Sequence, residues 1–217
     1  MCGRFSLFHN SEEIRRRFRL KRLFREWMKR YNIAPTQRIL IIREEDGERT
    51  ADEATWGLVP AWAKDGAKGV INARAESYQM KPTFREAQRC LIVADGFYEW
   101  QKQGSIKQPY RITLSDGGLF AFAGLYDYRF DDRTAVIITT GSNEMMKVIH
   151  DRMPAILDAA HEDLWIDPRS DANTLSNLLK PYPGQRMNAV QISQRINDAE
   201  NEGPDLIEAA MQRQTTL

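Results

Sequence analysis

The spacing of apolar residues in the first quarter of the chain predicts a helical segment followed by a β-hairpin. In residues 11–30, apolar side chains recur at roughly helical spacing behind Ser11, a residue type that caps helices, and predict one helix or two short ones. Residues 38–43 (RILIIR) predict a strand. Asp46 and Gly47 form a hairpin turn signal, and a second strand is expected to run toward Trp56.

The middle of the chain is dominated by short β-rich runs. Residues 57–70 are rich in Gly, Pro and Ala and predict a loop. Glycine-containing turns at 103–104 and 116–118 then separate the runs. The predicted strands are 90–94, 97–101, 110–114, 120–125 and 135–140.

The last third of the chain predicts two helices, at 142–149 and about 171–180, and a late strand at 186–192. Helices segregated around antiparallel-looking strands predict a single α+β domain. We expect this domain to span residues 1–205, and residues 206–217, which lack periodicity, to form a loose tail.

Composition and charge restrict the classes of function. The chain has 217 residues and a formal net charge of +1, so any nucleic-acid surface must come from local patches. Two cysteines, Cys2 and Cys90, are too few for a disulfide scaffold. The sequence shows neither an apolar run of about 18 residues nor a signal-peptide pattern, so we expect a cytoplasmic protein without a membrane span.

Cys2 is the residue with the most specific chemistry. Methionine aminopeptidases act when the second side chain is small, so removal of Met1 would leave Cys2 with both a free α-amine and a thiol. The amine of such an aminothiol condenses with an aldehyde, and its sulfur then closes a five-membered thiazolidine, which an internal cysteine cannot do. The alternative is that Cys2 is an accident of an N-terminal tail.

Three further segments contain polar residues beside apolar ones. Asn72, Arg74 and Glu76 follow an apolar pair, and Arg74 and Glu76 could alternatively be only a surface ion pair. Glu99 lies between aromatic residues in a predicted strand and is a candidate for acid–base chemistry, or else a solvated edge residue. His150 precedes an Asp-Arg pair and suits proton transfer near neutral pH, or else is a structural residue at a helix end.

Taken together, these segments resemble the SRAP family, the SOS-response-associated peptidase domain. They appear in the family's order from residue 2 to about 195, which makes the resemblance specific. One departure is Ala63 after Trp62, where some members have a second tryptophan. The matching segments are 1–5 (MCGRF), 31–36 (YNIAPT), 56–62 (WGLVPAW), 71–76 (INARAE), 94–100 (ADGFYEW) and 149–154 (IHDRMP).

The resemblance implies a compact α+β fold around a barrel-like, mainly antiparallel sheet flanked by helices. It also implies a sensor of abasic sites in single-stranded DNA that forms a thiazolidine crosslink and shields the lesion during the DNA damage (SOS) response, as a monomer without metal or cofactor. The implied catalytic residues are Cys2, Asn72, Glu99 and His150, and the implied DNA-binding residues are Arg4, Trp62, Arg74, Trp100 and Thr139.

Two other functions remain open on the sequence. An N-terminal cysteine with a histidine and a glutamate could build a thiol peptidase, including one that removes Met1 autoproteolytically. The chain could also be a non-catalytic DNA-binding module in which Cys2 is incidental. A Schiff base at an abasic sugar could in addition eliminate the 3′ phosphate, so lyase activity is a chemical possibility that ring closure suppresses.

Overall fold

The computed structural model describes residues 2–21, 26–64 and 66–209, so Met1 lies outside the described residues. The four α-helices of the described part are α1 (Ser11–Phe18), α2 (Glu144–Lys147), α3 (Glu162–Ile166) and α4 (Ala172–Leu178). The strands are β1 (Phe5–Leu7), β2 (Arg30–Ile33), β3 (Arg38–Glu45), β4 (Glu48–Trp56), β5 (Asn72–Arg74), β6 (Gln88–Ala94), β7 (Gly96–Gln103), β8 (Ile106–Leu114), β9 (Phe120–Arg129), β10 (Asp132–Gly141), β11 (Arg152–Pro154), β12 (Ile156–Leu157) and β13 (Met187–Gln191).

Five strands close into a ring. Strand β10 pairs antiparallel with β9 and parallel with β4, and the path β4–β3–β6–β9 returns to β10 through antiparallel pairs. Closure removes the unpaired sheet edges that an open sheet of these strands would expose. Apolar runs such as 39–42 and 90–94 are wholly buried, as expected of strands that are covered on both faces. The predicted barrel-like, mainly antiparallel α+β fold is therefore confirmed.

The second sheet contains the N-terminal strand β1. Its order is β13–β8–β7–β1–β2, and β1 lies between β7 and β2. Phe5 pairs with Phe97 and with Ile33, so both edges of this short strand are occupied. Residues just before β1 are consequently held beside β7, the strand that contains Glu99.

The predicted helical segment at 11–30 is wrong over its second half. Helix α1 ends at Phe18 because Arg19 adopts a left-handed conformation (φ 56°), and its amide bonds to the carbonyls of the preceding turn. Trp27 and Met28 lie outside any helix, and Arg30 begins β2. Phe24, which we also assigned to the helix, lies outside the described residues.

The later elements follow the predictions more closely. Strand β13 and helix α4 confirm the predicted late strand and helix, whereas the helix expected at 142–149 is reduced to the four residues of α2. The chain packs at least as far as Ala209, which bridges to Ile192, and Leu206 is fully buried. The remainder of the predicted tail, residues 210–217, lies outside the described residues.

The predicted loop at 57–70 is closed at its base. Leu58 and Val70 form an isolated antiparallel bridge. A Cβ atom at Gly69 would lie 2.4 Å from the carbonyl oxygen of Gly57, so the two chain segments can approach only because residue 69 has no side chain. In the described helices, we find none that is long and apolar enough to cross a membrane.

Candidate active site

Arg4 fixes the N-terminal segment to the rest of the protein. Its Nη1 donates hydrogen bonds to Asn32 Oδ1 at 2.6 Å and to the carbonyl oxygen of Ile196 at 2.7 Å. The amide of Tyr98 donates to the carbonyl oxygen of Arg4 at 2.9 Å. Burial lowers the pKa of Arg4. These contacts direct the guanidinium toward the protein, so Arg4 positions its neighbour Cys2 whatever it contributes to a DNA phosphate.

Cys2 is fully buried beside two other candidate residues, Asn72 and Glu99. Asn72 Nδ2 donates a 2.8 Å hydrogen bond to the carbonyl oxygen of Cys2. Burial raises the pKa of the Cys2 thiol, and the negative charge of Glu99 raises it further. Cys2, Asn72 and Glu99 are therefore neighbours, although 97 positions separate the first from the last in the sequence.

Strand β5 determines the position of Asn72. It pairs parallel with β10, which places Asn72 opposite Ile137 and Arg74 opposite Thr139. Asn72 Oδ1 is buried and makes no hydrogen bond within the part of the chain that is described. Because buried amide oxygens are nearly always paired, this acceptor is suited to a donor brought by the N-terminal amine or by a substrate.

Glu99 and His150 line a common cleft of about 530 Å³. Glu99 is buried on β7, and His150 follows α2. His150 Nδ1 accepts a 3.0 Å hydrogen bond from the amide of Arg152 and lies 2.9 Å from Asp151 Oδ1. The imidazole is thus oriented by its own turn toward a cleft that also contains a buried carboxyl side chain. The cleft is lined by Glu99, Trp100, Lys102, Lys107, His150 and Asn197.

Arg152 links two of the sequence motifs. Its Nη1 and Nη2 donate to Glu76 Oε1 and Oε2 at 2.6 and 3.0 Å, and Nη2 also donates to the carbonyl oxygen of Thr139 at 2.6 Å. The hydrogen bond from Arg152 lowers the pKa of Glu76. The ion pair of Glu76 is thus formed with Arg152, and Arg74 contributes to the lowered pKa of Glu76 through its charge alone.

The residues predicted to bind DNA occupy different environments. Trp62, on the 57–70 loop, is 66% exposed, and Arg74 is also exposed. Trp100 is half-buried, and its Nε1 donates to Asn197 Oδ1 at 2.7 Å. Thr139 is fully buried, and its hydroxyl lies 3.3 Å from Arg152 Nη2. The side chain of Thr139 is therefore turned into the protein and contacts Arg152.

The sequence reasoning missed four residues at this site. Arg152 was considered only as a neighbour of His150, and nothing in its local sequence indicates the contact with Glu76. Lys102 and Lys107 could have been found by pairing residues across the turn at Gly104, because a two-residue hairpin places them opposite each other. Asn197 follows an irregular segment and gives no local signal.

In residues 2–21, 26–64 and 66–209, the histidine, cysteine and acidic side chains form no group of three or more that could hold a metal ion.

Comparison with known proteins identifies the family. The model of the SOS response associated peptidase (SRAP) family matches residues 1–199. The chain belongs to the SRAP family. The matched range contains every candidate residue of this SRAP domain, from Cys2 to Asn197.

Relatives and solved structures agree with that assignment. The SRAP chain is 42% identical to the abasic site processing protein YoqW of Bacillus subtilis (strain 168), over 96% of this chain and 100% of the relative. It is 29% identical to the abasic site processing protein YedK of Escherichia coli (strain K12), over 82% of this chain and 84% of the relative. A crystal structure of a Bacteroides thetaiotaomicron protein superposes with a TM-score of 0.83 at 27% identity, covering 97% of this chain and 100% of the other.

Proposed function

We propose that this SRAP protein processes abasic sites in single-stranded DNA by forming a covalent thiazolidine through Cys2 after removal of Met1. The naming of its relatives as abasic site processing proteins supports the substrate class. The observation that carries the mechanism is the 2.8 Å hydrogen bond from Asn72 to Cys2, which holds the N-terminal residue beside Glu99.

The chemistry begins at the open-chain aldehyde of the abasic deoxyribose. The Cys2 amine attacks the aldehyde carbon, and loss of one water gives a Schiff base. The Cys2 sulfur then adds to the imine carbon, and the thiol proton ends on the nitrogen. The net change joins an aldehyde and an aminothiol into a thiazolidine plus one water, so no oxidant or cofactor is required.

The raised pKa of the Cys2 thiol supports this order of events. With the thiol protonated near neutral pH, the sulfur is a weak nucleophile toward the aldehyde, and the amine reacts first. Glu99, which acts electrostatically on the thiol, is placed to accept its proton during ring closure and to assist sugar opening. His150 shares the cleft and is placed for later proton transfers, while Asn72 orients the N-terminus.

The same raised pKa is unfavourable for the thiol peptidase alternative. A cysteine peptidase needs a thiolate, whereas burial and the negative charge of Glu99 raise the pKa of the Cys2 thiol by more than the positive charge of the N-terminus lowers it. The aminothiol mechanism needs no preformed thiolate, and ring closure competes with the elimination that a lyase would carry out.

The proposed DNA contacts fall into two groups. Exposed Arg74 is suited to a backbone phosphate, and exposed Trp62 and half-buried Trp100 are suited to stacking on bases next to the lesion. Arg4 and Thr139 act behind this surface, by fixing the Cys2 segment and Arg152 respectively. Contacts of this kind tolerate any sequence, as the recognition of damage requires.

The proposal is tested by the intact mass of the protein after incubation with a single-stranded oligonucleotide that contains one abasic site. We expect the mass of the Met1-free chain plus the oligonucleotide minus one water, and no adduct with an undamaged strand. Cys2→Ala and a variant with an extra N-terminal residue should form no such adduct, whereas Cys90→Ala should form it normally. An adduct that survives Cys2→Ala would refute the mechanism.

A further inference from the structure

Two lysines face each other on the hairpin that ends at the candidate site. Lys102 on β7 is the direct cross-strand partner of Lys107 on β8. Directly opposed residues of an antiparallel pair lie on the same face with their Cβ atoms about 5 Å apart, and like charges in this arrangement destabilise the sheet. Both lysines are exposed, and neither ammonium lies within 4.0 Å of a carboxylate of the described residues.

The position of this lysine pair relates it to the chemistry. Lys102 and Lys107 line the same cleft as Glu99 and His150. Gln101, next to Lys102, donates a 2.7 Å hydrogen bond from Nε2 to the carbonyl oxygen of Val148, two residues before His150. The hairpin is thereby tied to the segment that presents the histidine, so the two positive charges have a defined place beside the cleft.

The other candidate cation on this side is already engaged. Arg4 directs its Nη1 to Asn32 and Ile196 within the protein, and Nη2 lies 3.5 Å from the carbonyl oxygen of Asn197. Among the described residues that line this cleft, Lys102 and Lys107 are the ones with a lysine or arginine side chain. A ligand with a single negative charge and two equivalent oxygens would relieve the repulsion between the two ammonium groups and satisfy both.

We propose that Lys102 and Lys107 together bind one backbone phosphate of the single strand next to the abasic residue, and so position the lesion at the cleft. This inference rests on the proposed function and adds a positioning pair to it. The phosphodiester has the required charge and geometry. Trp100, on the same face of β7 as Lys102, is placed to stack on the base of a nucleotide next to the bound phosphate.

The first test measures binding without crosslinking. The probe is a single-stranded oligonucleotide with a tetrahydrofuran residue, an abasic analogue that has no aldehyde. We expect Lys102→Gln with Lys107→Gln to weaken binding by about tenfold, and the slope of log affinity against log salt to fall by about 0.7, the value for one phosphate. The control variant, Lys21→Gln with Lys180→Gln, removes the same charge from exposed positions that do not line the cleft and should keep the wild-type slope.

The two single variants test whether one phosphate is shared. Each should lose most of the affinity that the double variant loses, because a shared contact is not additive. Without DNA, neither single variant should have a lower melting temperature than the wild type, since each relieves a like-charge pair. An unchanged salt slope in the double variant, or additive effects that sum to two contacts, would overturn the proposal.

The last test distinguishes positioning from catalysis and locates the phosphate. With a reactive abasic strand, the double variant should raise the half-saturating strand concentration but leave the crosslinking rate at saturation unchanged. A lower rate at saturation would overturn a positioning role. With strands that end at the lesion on the 5′ or the 3′ side, the lysine effect should disappear for one strand, and its persistence with both would indicate a diffuse field instead. If the wild type forms no adduct at all, the proposed function fails, whereas the binding measurement still decides the lysine contact.

Discussion

Replacement of Glu99 by glutamine separates the two effects that this side chain has on Cys2. Glu99 is 3% exposed, and its negative charge adds to burial in raising the pKa of the Cys2 thiol. Glutamine keeps the shape of the side chain and removes the charge. The thiol pKa should therefore fall, although burial, the larger cause, will still hold it above its ordinary value. The same substitution removes the group that we expect to transfer protons during sugar opening and ring closure.

The two effects predict opposite changes in two rates. A positioned general acid or base contributes about 10²–10⁴ to a rate. His150 lines the same cleft and can transfer some of the protons in place of Glu99. We therefore expect the lower end of this range for Glu99→Gln. Crosslink formation should slow by about 10², or about 2.7 kcal/mol of activation free energy. Alkylation of the Cys2 thiol by a neutral reagent should instead become faster, because the thiolate fraction rises.

Both rates can be measured on one protein. Cys90→Ala serves as the background, so that Cys2 is the single thiol that reacts. Adduct formation is followed by denaturing gel with saturating abasic strand, and alkylation by intact mass in the absence of DNA. His150→Ala is the matched comparison, and we expect it mainly to slow transfer of preformed adduct to a competing aldehyde trap. Faster alkylation with an unchanged crosslinking rate would refute proton transfer by Glu99, and no change in either rate would refute its placement beside Cys2.

Three other predictions concern residues away from the reacting atoms. Cys90→Ala should keep full crosslinking, and loss of the adduct would contradict the assignment of Cys2. The variant should lose about 1 kcal/mol of unfolding free energy, measured by urea denaturation, because Cys90 is fully buried opposite Gly124 of β9. The hydrogen bond to Asp95 raises the pKa of His9. The stabilisation from this pair is therefore complete below the ordinary value near 6.5 and is lost as the pH rises through the raised pKa. The stability advantage of the wild type over His9→Gln should shrink as the pH rises above about 6.5, and a constant difference would refute the pairing. Glu162→Ala should lower the unfolding free energy by about 3 kcal/mol, because it breaks the ion pairs of a buried carboxylate with two arginines; a loss below about 1 kcal/mol would show that the pairs are not coupled to folding.

Local sequence patterns correctly predicted several strands and hairpin turns. The apolar run at 90–94 and the alternation at 97–101 became β6 and β7, with boundaries shifted by two residues or fewer. Gly47 and Gly104 adopt positive φ angles in hairpin turns, a requirement that the glycine itself encodes. The end of α1 was not predictable in this way, because Arg19 takes the left-handed conformation where a glycine would have marked the stop.

The candidate residues of the site could also be identified from the sequence. An aminothiol requires only that Cys2 follow a removable Met1, and the motifs that carry Asn72, Glu99 and His150 are visible as short segments. The structure places Asn72 and Glu99 beside Cys2, and it places Glu99 and His150 on one cleft. What a sequence motif cannot state is whether a side chain points outward, and Thr139, expected to hold DNA, proved to be buried in β10.

Only the tertiary structure decided which segments meet. The ring exists because β10 pairs with β4, about eighty positions earlier, as well as with its hairpin partner β9. The contacts of Arg152 with Glu76 and of Arg4 with Ile196 likewise join segments that are far apart in the sequence. A short stretch of sequence does not predict such contacts, because their free energy arises from burial and hydrogen bonding between distant parts of the chain. The sequence alone therefore determined the main strands of the middle of the chain, their turns and the candidate residue Cys2, whereas the closure of the sheets determined which side chains lie beside Cys2.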